Sequence, residues 1–248
     1  MLLDAAHGYP YGTLPRLILF WITKEALRTG NRHLELGSTL SSFLREIGLD
    51  PSTGRGKRGD AKRLREQMER LFSATISFEY TTEQVKRWLN MNVTSNGELW
   101  WDPRQPDQCD LWGSWIDLGA EFFEAITKYP VPLDMRTIRA LKKSPLALDF
   151  YAWLAYRTFT LGQGKPVTVS WAQINLQLGS HYSGLNDFVK YAKYALRKVL
   201  AIYPRLRVEV VYGGLRLSPS TSLIAPRPVT PGINLSSTST RKHAEQKT

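Results

Sequence analysis

Apolar positions in the first half of the chain follow helical spacing in some segments and strand spacing in others. Helical segments carry apolar residues at i, i+3 and i+7, whereas strands carry them at every second position. The predicted elements are helix 14–28, strand 33–36, helix 39–47, helix 60–73, strand 75–80 and strand 111–118. We expect the last two strands to pair with each other, with the polar stretch between them forming a long wing.

The second half repeats this order of elements without repeating the sequence. The predicted elements are helix 146–158, strand 167–169, helix 171–178, helix 187–203 and a hairpin of strands 206–211 and 215–217. Gly213 and Gly214 supply the turn of the hairpin. Helix, strand, helix, helix and hairpin is the order of a winged helix, which is a helix-turn-helix unit followed by a β-hairpin. The sequence therefore predicts an α+β fold with two tandem winged-helix domains.

We divide the chain into three regions. Residues 1–119 are predicted to form the N-terminal winged-helix domain and residues 120–218 the C-terminal one. Segment 120–143 carries two further predicted helices, and we expect it to pack the two units together. Residues 219–248 are rich in Ser, Thr and Pro with almost no aliphatic periodicity. They bury too little apolar surface to offset the entropy of ordering, so a disordered tail is predicted.

The net charge of the chain indicates what kind of partner the protein binds. There are 33 Lys and Arg residues against 22 Asp and Glu, a net charge of +11. Only four of the cations lie in the predicted tail, so most of the excess belongs to the folded surface. A polyanionic partner is therefore the first hypothesis, with double-stranded DNA as the candidate that fits helix-turn-helix units.

A membrane is the other common polyanion, and the sequence argues against it. The densest apolar stretch, residues 14–22, is far too short to span a bilayer, contains Arg16 and has no cationic leader. Cys109 is the single cysteine, which excludes an internal disulfide and fits a reducing compartment. We therefore expect a cytoplasmic protein with no membrane partner.

The first candidate DNA contact is the basic segment 55–65, which joins a glycine-rich turn to the start of a predicted helix. Free N–H groups at a helix start bind phosphate oxygens, and Arg side chains can pair with guanine edges. The predicted contacts here are Arg55, Lys57, Arg58, Lys62, Arg63 and Arg65. The alternative is a solvated basic face, because Glu66 and Glu69 are i+4 partners for Lys62 and Arg65.

The second candidate contact is the predicted helix 187–203. Its apolar stripe leaves five basic or aromatic residues on the opposite side: Lys190, Lys193, Tyr194, Arg197 and Lys198. No acidic residue lies between Asp187 and Glu209, so these cations have no helix partner for an ion pair. Ser183 in the preceding turn, and Arg207 and Arg216 in the hairpin, are further predicted contacts with the DNA backbone or minor groove.

Tryptophan residues allow a different interpretation for the wing. Stacking on single-stranded bases or core packing could account for Trp100, Trp101, Trp112 and Trp115, and we favour core packing. Core positions are also predicted for Trp21, Trp153 and Trp171.

Patterns of catalysis and metal binding are missing from the sequence. The four histidines are isolated, there is no cysteine cluster, and neither a phosphate-binding P-loop nor a Gly-x-Ser-x-Gly elbow occurs. The enzymatic alternative to a DNA-binding protein is a nicking enzyme with a tyrosine nucleophile. The absence of a His-x-His metal pair argues against it. We therefore expect no enzymatic activity, no metal and no cofactor.

Five strings of this sequence resemble the plasmid-encoded RepA replication initiators. They lie in order at 11–17 (YGTLPRL), 64–72 (LREQMERLF), 130–134 (PVPLD), 144–157 (SPLALDFYAWLAYR) and 170–173 (SWAQ). The likeness extends from about Tyr9 to Pro219. It implies binding to repeated double-stranded sequences at a plasmid origin, opening of the duplex and repression of the initiator's own gene.

The resemblance also implies partners. Host replication proteins, such as an initiator or a helicase, would be recruited to the origin, and the sequence leaves a homodimer open. A transcriptional repressor with no replication role is the alternative function, because it needs the same DNA contacts.

Overall fold

The computed structural model describes most of the chain. The described residues are 2–5, 8–54, 60–81, 86–102, 105, 107–109, 113–128, 130–131, 133–162, 164–179, 182–204 and 206–219. Eight α-helices, one short 3₁₀ helix and nine strands lie within these ranges. The predicted α+β class is therefore confirmed. The tail prediction concerns residues that, beyond Pro219, lie outside the described ranges.

The first half of the chain contains three helices and six strands. In chain order they are β1 (Leu2–Ala5), α1 (Leu14–Thr29), β2 (His33–Gly37), α2 (Leu40–Glu46), α3 (Asp60–Phe72), β3 (Ala74–Thr81), β4 (Lys86–Asn92), β5 (Thr94–Glu98) and β6 (Ser114–Leu118), with a 3₁₀ turn at Pro51–Gly54. The strands form two antiparallel sheets, with orders β2-β6-β5 and β1-β3-β4. The three predicted helices of this half are confirmed.

The predicted pairing between strands 75–80 and 111–118 is wrong. β6 pairs with β2 and β5, whereas β3 pairs with β1 and β4. The interpretation of a polar wing missed β4 and β5, which lie inside it. For β5 the reason is that four of its five residues are exposed, so this strand has no apolar alternation to detect.

The second half begins with two short connecting elements and continues in the predicted order. The elements are α4 (Ala120–Lys128), α5 (Met135–Leu141), α6 (Pro145–Leu161), β7 (Val167–Ser170), α7 (Trp171–Leu178), α8 (Leu185–Ile202), β8 (Val208–Val211) and β9 (Gly214–Leu217). The strands form one antiparallel sheet with the order β7-β9-β8. This is the same pairing scheme as β2-β6-β5, because in both sheets the last strand lies between the first and the penultimate one.

Two adjacent glycines set the hairpin that closes this sheet. Gly213 has a left-handed φ of 75°, which glycine adopts without strain. Gly214 lies so close to β7 that a Cβ atom would collide with the carbonyl oxygen of Val169. The backbone N–H of Trp171 donates a hydrogen bond of 2.9 Å to the carbonyl oxygen of Gly213, so the hairpin tip is fastened to the start of α7.

The buried apolar residues form one cluster that runs through both halves. It includes Trp21 on α1, Leu64 on α3, Phe150 on α6 and Phe188 on α8. The segment between the halves contacts both of them, since α4 packs on α1 and β4 while α5 packs on α6 and α8. Among the described helices, none combines the length and the apolar content needed to cross a bilayer.

We predict that Gly214→Ala lowers the free energy of unfolding by about 1–3 kcal/mol, because the added methyl group overpacks the contact with β7. Urea denaturation followed by tryptophan fluorescence measures this change. Gly213→Asn is the control. No atom lies within 4 Å of its added Cβ, and asparagine tolerates a left-handed φ, so a loss below about 1 kcal/mol is expected. Equal losses in both variants would contradict the close approach of β9 to β7.

Candidate nucleic-acid interface

Helix α8 is amphipathic and has one fully buried side. Gly184 is its N-cap residue, and the Ser183 hydroxyl donates a 2.6 Å hydrogen bond to Oδ2 of Asp187 in the first turn. The buried side consists of Phe188, Ala192, Ala195, Leu196 and Val199. The sequence predicts an apolar stripe of Phe188, Ala192, Ala195, Leu196, Val199 and Tyr203. All but Tyr203, which is half-buried, lie on the buried side, so the orientation of the helix is confirmed. Ser183, a predicted DNA contact, is exposed but is occupied by this local hydrogen bond.

The opposite side of α8 carries the predicted basic residues. Lys190, Lys193, Tyr194 and Arg197 are exposed, and Lys198 is half-buried. Because a helix advances about 100° per residue, positions 190, 193, 194, 197 and 198 share one surface that points away from the core. The structure therefore brings these five predicted residues together, and we name them the α8 basic face.

The cations of the α8 basic face lack acidic neighbours. Within the described ranges, no carboxylate oxygen lies within 4.0 Å of a side-chain nitrogen of Lys190, Lys193, Arg197 or Lys198. Two of them instead approach the ring of Tyr194, with Lys198 Nζ at 4.5 Å and Arg197 Cζ at 5.7 Å from its centroid. Such cation–π contacts hold the side chains near one another without neutralising their charge.

Helix α3 presents its cations differently. Lys62 Nζ lies 3.8 Å from Glu66 Oε1, and Arg65 Nε lies 3.1 Å from Glu69 Oε1. Arg65 Nη1 also donates a 2.6 Å hydrogen bond to the carbonyl oxygen of Trp101. The i+4 ion pairs expected for Lys62 and Arg65 are therefore confirmed. Arg65 joins α3 to the segment before β6, which leaves its guanidinium little freedom to reach DNA.

The remaining predicted contacts of the first half are only partly described. Arg63 is exposed on α3. The basic turn with Arg55, Lys57 and Arg58 lies outside the described residues. Arg70, which the sequence analysis did not single out, places its guanidinium 5.3 Å from the ring centroid of Tyr11. Its position seven residues after Arg63, on the same helical stripe, is the signal that could have found it.

The hairpin β8–β9 adds exposed groups beside the sheet. Arg207 and Arg216 are exposed, and Arg216 lies opposite Glu209 in the strand register. Tyr212 at the hairpin tip is fully exposed, with a relative accessibility of 106%. Tyr212 is not among the residues predicted to contact DNA, although its place directly before the Gly213–Gly214 turn indicates a residue at the tip.

The tryptophan predictions have mixed outcomes. Trp21, Trp153 and Trp171 are buried, which confirms them as core residues. Trp101 is also buried, whereas the core prediction for Trp100 is wrong, because half of this side chain is exposed and its indole N–H donates to Glu98. Trp115 is half-buried beside the His33 ring. Trp112 lies outside the described residues.

Metal-binding side chains do not converge in the part of the chain that the structure describes. No group of three His, Cys, Asp or Glu residues there has the spacing of a metal site. His33 Nδ1 lies 2.9 Å from Asp117 Oδ1 at the surface, which is a pair rather than a ligand set.

Comparison with known proteins identifies the family. The sequence profile described as plasmid encoded RepA protein matches residues 9–173, which is more than half of the chain. The match starts where the resemblance starts, at Tyr9, and ends within α7, before the α8 basic face. No curated protein sequence and no solved structure matches the chain significantly. The chain belongs to the family of plasmid-encoded RepA proteins.

Proposed function

We propose that this protein initiates replication of its plasmid by binding repeated double-stranded DNA sequences at the origin. In this proposal it works in the cytoplasm, opens the origin duplex, recruits host proteins such as an initiator or a helicase, and represses its own gene. Membership of the RepA family supports a replication-initiator role in general terms. The surface chemistry of the described residues supports DNA as the ligand.

The observation that carries this proposal is the α8 basic face. Four cations and a tyrosine share one exposed side of a long helix, and no described carboxylate compensates them. An α-helix fits the major groove of B-DNA, where lysines pair with phosphates and an arginine can bind the N7 and O6 atoms of guanine. A merely solvated helix surface would gain more from alternating charges than from charges of one sign.

The order of elements supports winged-helix units as the framework. In the second half, α7 and α8 would form the helix-turn-helix and β8–β9 the wing, with Tyr212 at its tip. In the first half, α2 and α3 would take the same places, and the β3–β4 hairpin would be an insertion before β5 and β6. If both units bind, the protected DNA should span about two helical turns, the usual spacing of paired half-sites.

The two units differ in how strongly they would attract DNA. Lys62 and Arg65 of α3 are paired with glutamates, whereas the cations of the α8 basic face are not. Counterion release depends on uncompensated cations that neutralise phosphates. We therefore assign the larger part of the salt-dependent affinity to α8, and to α3 a smaller part through Arg63 and the basic turn before it.

We predict that Arg197→Ala weakens binding to origin duplex by about 1–3 kcal/mol, because a guanine-reading arginine is worth that much. Fluorescence anisotropy with a labelled origin fragment measures the change. Arg136→Ala is the matched control, since Arg136 is an exposed arginine on α5 that pairs locally with Asp134.

In a salt titration, Lys193→Ala should reduce the slope of the logarithm of the binding constant against the logarithm of the salt concentration by about 0.9, if Lys193 neutralises one phosphate. Unchanged affinity and slope would remove α8 from the interface.

A replication assay separates the initiator from the repressor. We expect a plasmid that carries the origin but not the gene to be maintained only in cells that supply the protein from elsewhere. Supplying Arg197→Ala should lower the plasmid copy number, because origin occupancy falls, whereas Arg136→Ala should not. Plasmid maintenance without any supplied protein, together with normal repression of the gene's promoter, would favour the repressor.

We also propose that the protein acts without catalytic activity of its own. Supercoiled origin DNA incubated with the protein and Mg²⁺ or Mn²⁺ should remain un-nicked, because no described cluster of side chains resembles a metal site for strand cleavage. Agarose electrophoresis of supercoiled and open-circular forms measures this. Conversion to the open circle that depends on the protein would contradict the proposal.

A further inference from the structure

The two halves of the protein are joined by an ion pair between α1 and α6. Arg16 Nε lies 2.7 Å from Asp149 Oδ1, and Arg16 Nη2 lies 2.8 Å from Asp149 Oδ2. A third nitrogen of Arg16, Nη1, donates a 2.6 Å hydrogen bond to the carbonyl oxygen of Gly12. Two parallel hydrogen bonds between planar groups fix direction as well as distance. This pair therefore restricts rotation of α6 relative to α1.

A second attachment lies between α5 and the end of α2. Arg139 Nη2 donates a 2.9 Å hydrogen bond to the carbonyl oxygen of Glu46, and Lys142 Nζ donates one of 2.6 Å to that of Gly48. Glu46 is the last residue of α2, where a helix has partial negative charge and leaves carbonyl groups without internal partners, and Gly48 lies two residues beyond it. The second half of the chain thus caps a helix of the first half.

Helix α6, which carries Asp149, also packs directly against α8. Burial raises the pKa of the Tyr182 hydroxyl, and the nearby Tyr191 and Asp149 raise it further. The Tyr182 ring stacks on Tyr191 of α8 with 5.4 Å between centroids and 22° between planes. The packing of α6 on α8 therefore links the Arg16–Asp149 pair to the helix that carries the basic face.

We infer that Arg16, Asp149, Arg139 and Lys142 are positioning residues that hold α3 and α8 at one fixed separation and angle. This inference rests on the proposed function. Two attachments on different elements leave less freedom than one, because a single contact still permits rotation about itself. The protein then accepts an origin site only when its two halves lie at one spacing along the duplex.

Spacing matters because two linked contacts strengthen each other only when both can form at once. Inserting about 5 bp between half-sites turns one of them by half of the ~10-bp helical repeat, to the far side of the DNA. A rigid protein loses one contact on such DNA. A protein with loosely joined halves retains both and loses little affinity.

The test compares two origin duplexes, one natural and one with about 5 bp inserted between the two segments that footprinting shows to be protected. We expect the insertion to weaken wild-type binding at least about tenfold. With Asp149→Asn, or with Arg139→Ala and Lys142→Ala combined, the same insertion should cost less affinity than in the wild type, and with all three substitutions it should change affinity less than about threefold. Binding of all variants to a duplex that carries only the α8 half-site should equal that of the wild type.

Matched controls separate positioning from charge and from folding. Arg136→Ala combined with Lys143→Ala removes the same charge from the same region as Arg139→Ala combined with Lys142→Ala, but neither residue bonds to α2 in the structure. In this control, the insertion should weaken binding as much as it does in the wild type. Glu124→Gln, which removes a local ion pair with Lys128, is the control for Asp149→Asn. Arg16→Lys keeps the charge and removes the two-point pairing, so it serves if Asp149→Asn fails to fold.

The outcomes distinguish this inference from the function on which it rests. A wild type that binds no origin duplex contradicts the proposed function itself. A wild type that binds but tolerates the insertion, or that protects a single groove, overturns the fixed spacing. Variants that fold and keep the full wild-type penalty overturn the assignment of these four residues.

Discussion

Two side chains 133 positions apart, Arg16 and Asp149, meet in a two-point ion pair that ties the first half of this protein to the second. Both are partly accessible to water, with 31% and 22% of the side chains exposed, so the pair adds only modestly to the free energy of folding. Its geometry matters more than its energy. Together with the contacts of Arg139 and Lys142 at the end of α2, it adds direction to the shared apolar core that places α8 relative to α3. Any simultaneous contact of the two helices with DNA depends on this placement.

The charges on α3 and α8 differ in how far they are paired with acidic side chains. Cations of the α8 basic face have aromatic neighbours and no described carboxylates, whereas Lys62 and Arg65 on α3 pair with Glu66 and Glu69. In the proposed function, the described cations that would attract a polyanion from a distance are therefore mainly those of α8. Once α8 is bound, the attachments between the halves would hold α3 at one position along the duplex. Arg63 would then need less long-range electrostatic attraction to reach the DNA, because α3 would already lie close to it.

Local patterns predicted much of this fold, and nonlocal contacts account for what they missed. Helices α3 and α8 follow from apolar stripes that need only their own sequence, as the burial of Leu64 and Phe188 shows. Strand β6 was assigned the wrong partner because pairing depends on distant segments, and β5 carries no alternation. Arg65 also contacts a group that is distant in sequence, the carbonyl oxygen of Trp101. Sequence spacing therefore predicted its pairing with Glu69 but not this second contact.

The family and the candidate interface rest on different parts of the chain. The RepA profile ends at residue 173, whereas the α8 basic face begins at Lys190. The family match and the charges of α8 are therefore independent observations. Both point toward a DNA-binding initiator, and they meet in α6. This helix lies within the matched range, carries Asp149 and packs directly against α8. The part of the chain that identifies the family is therefore also the part that orients the basic face.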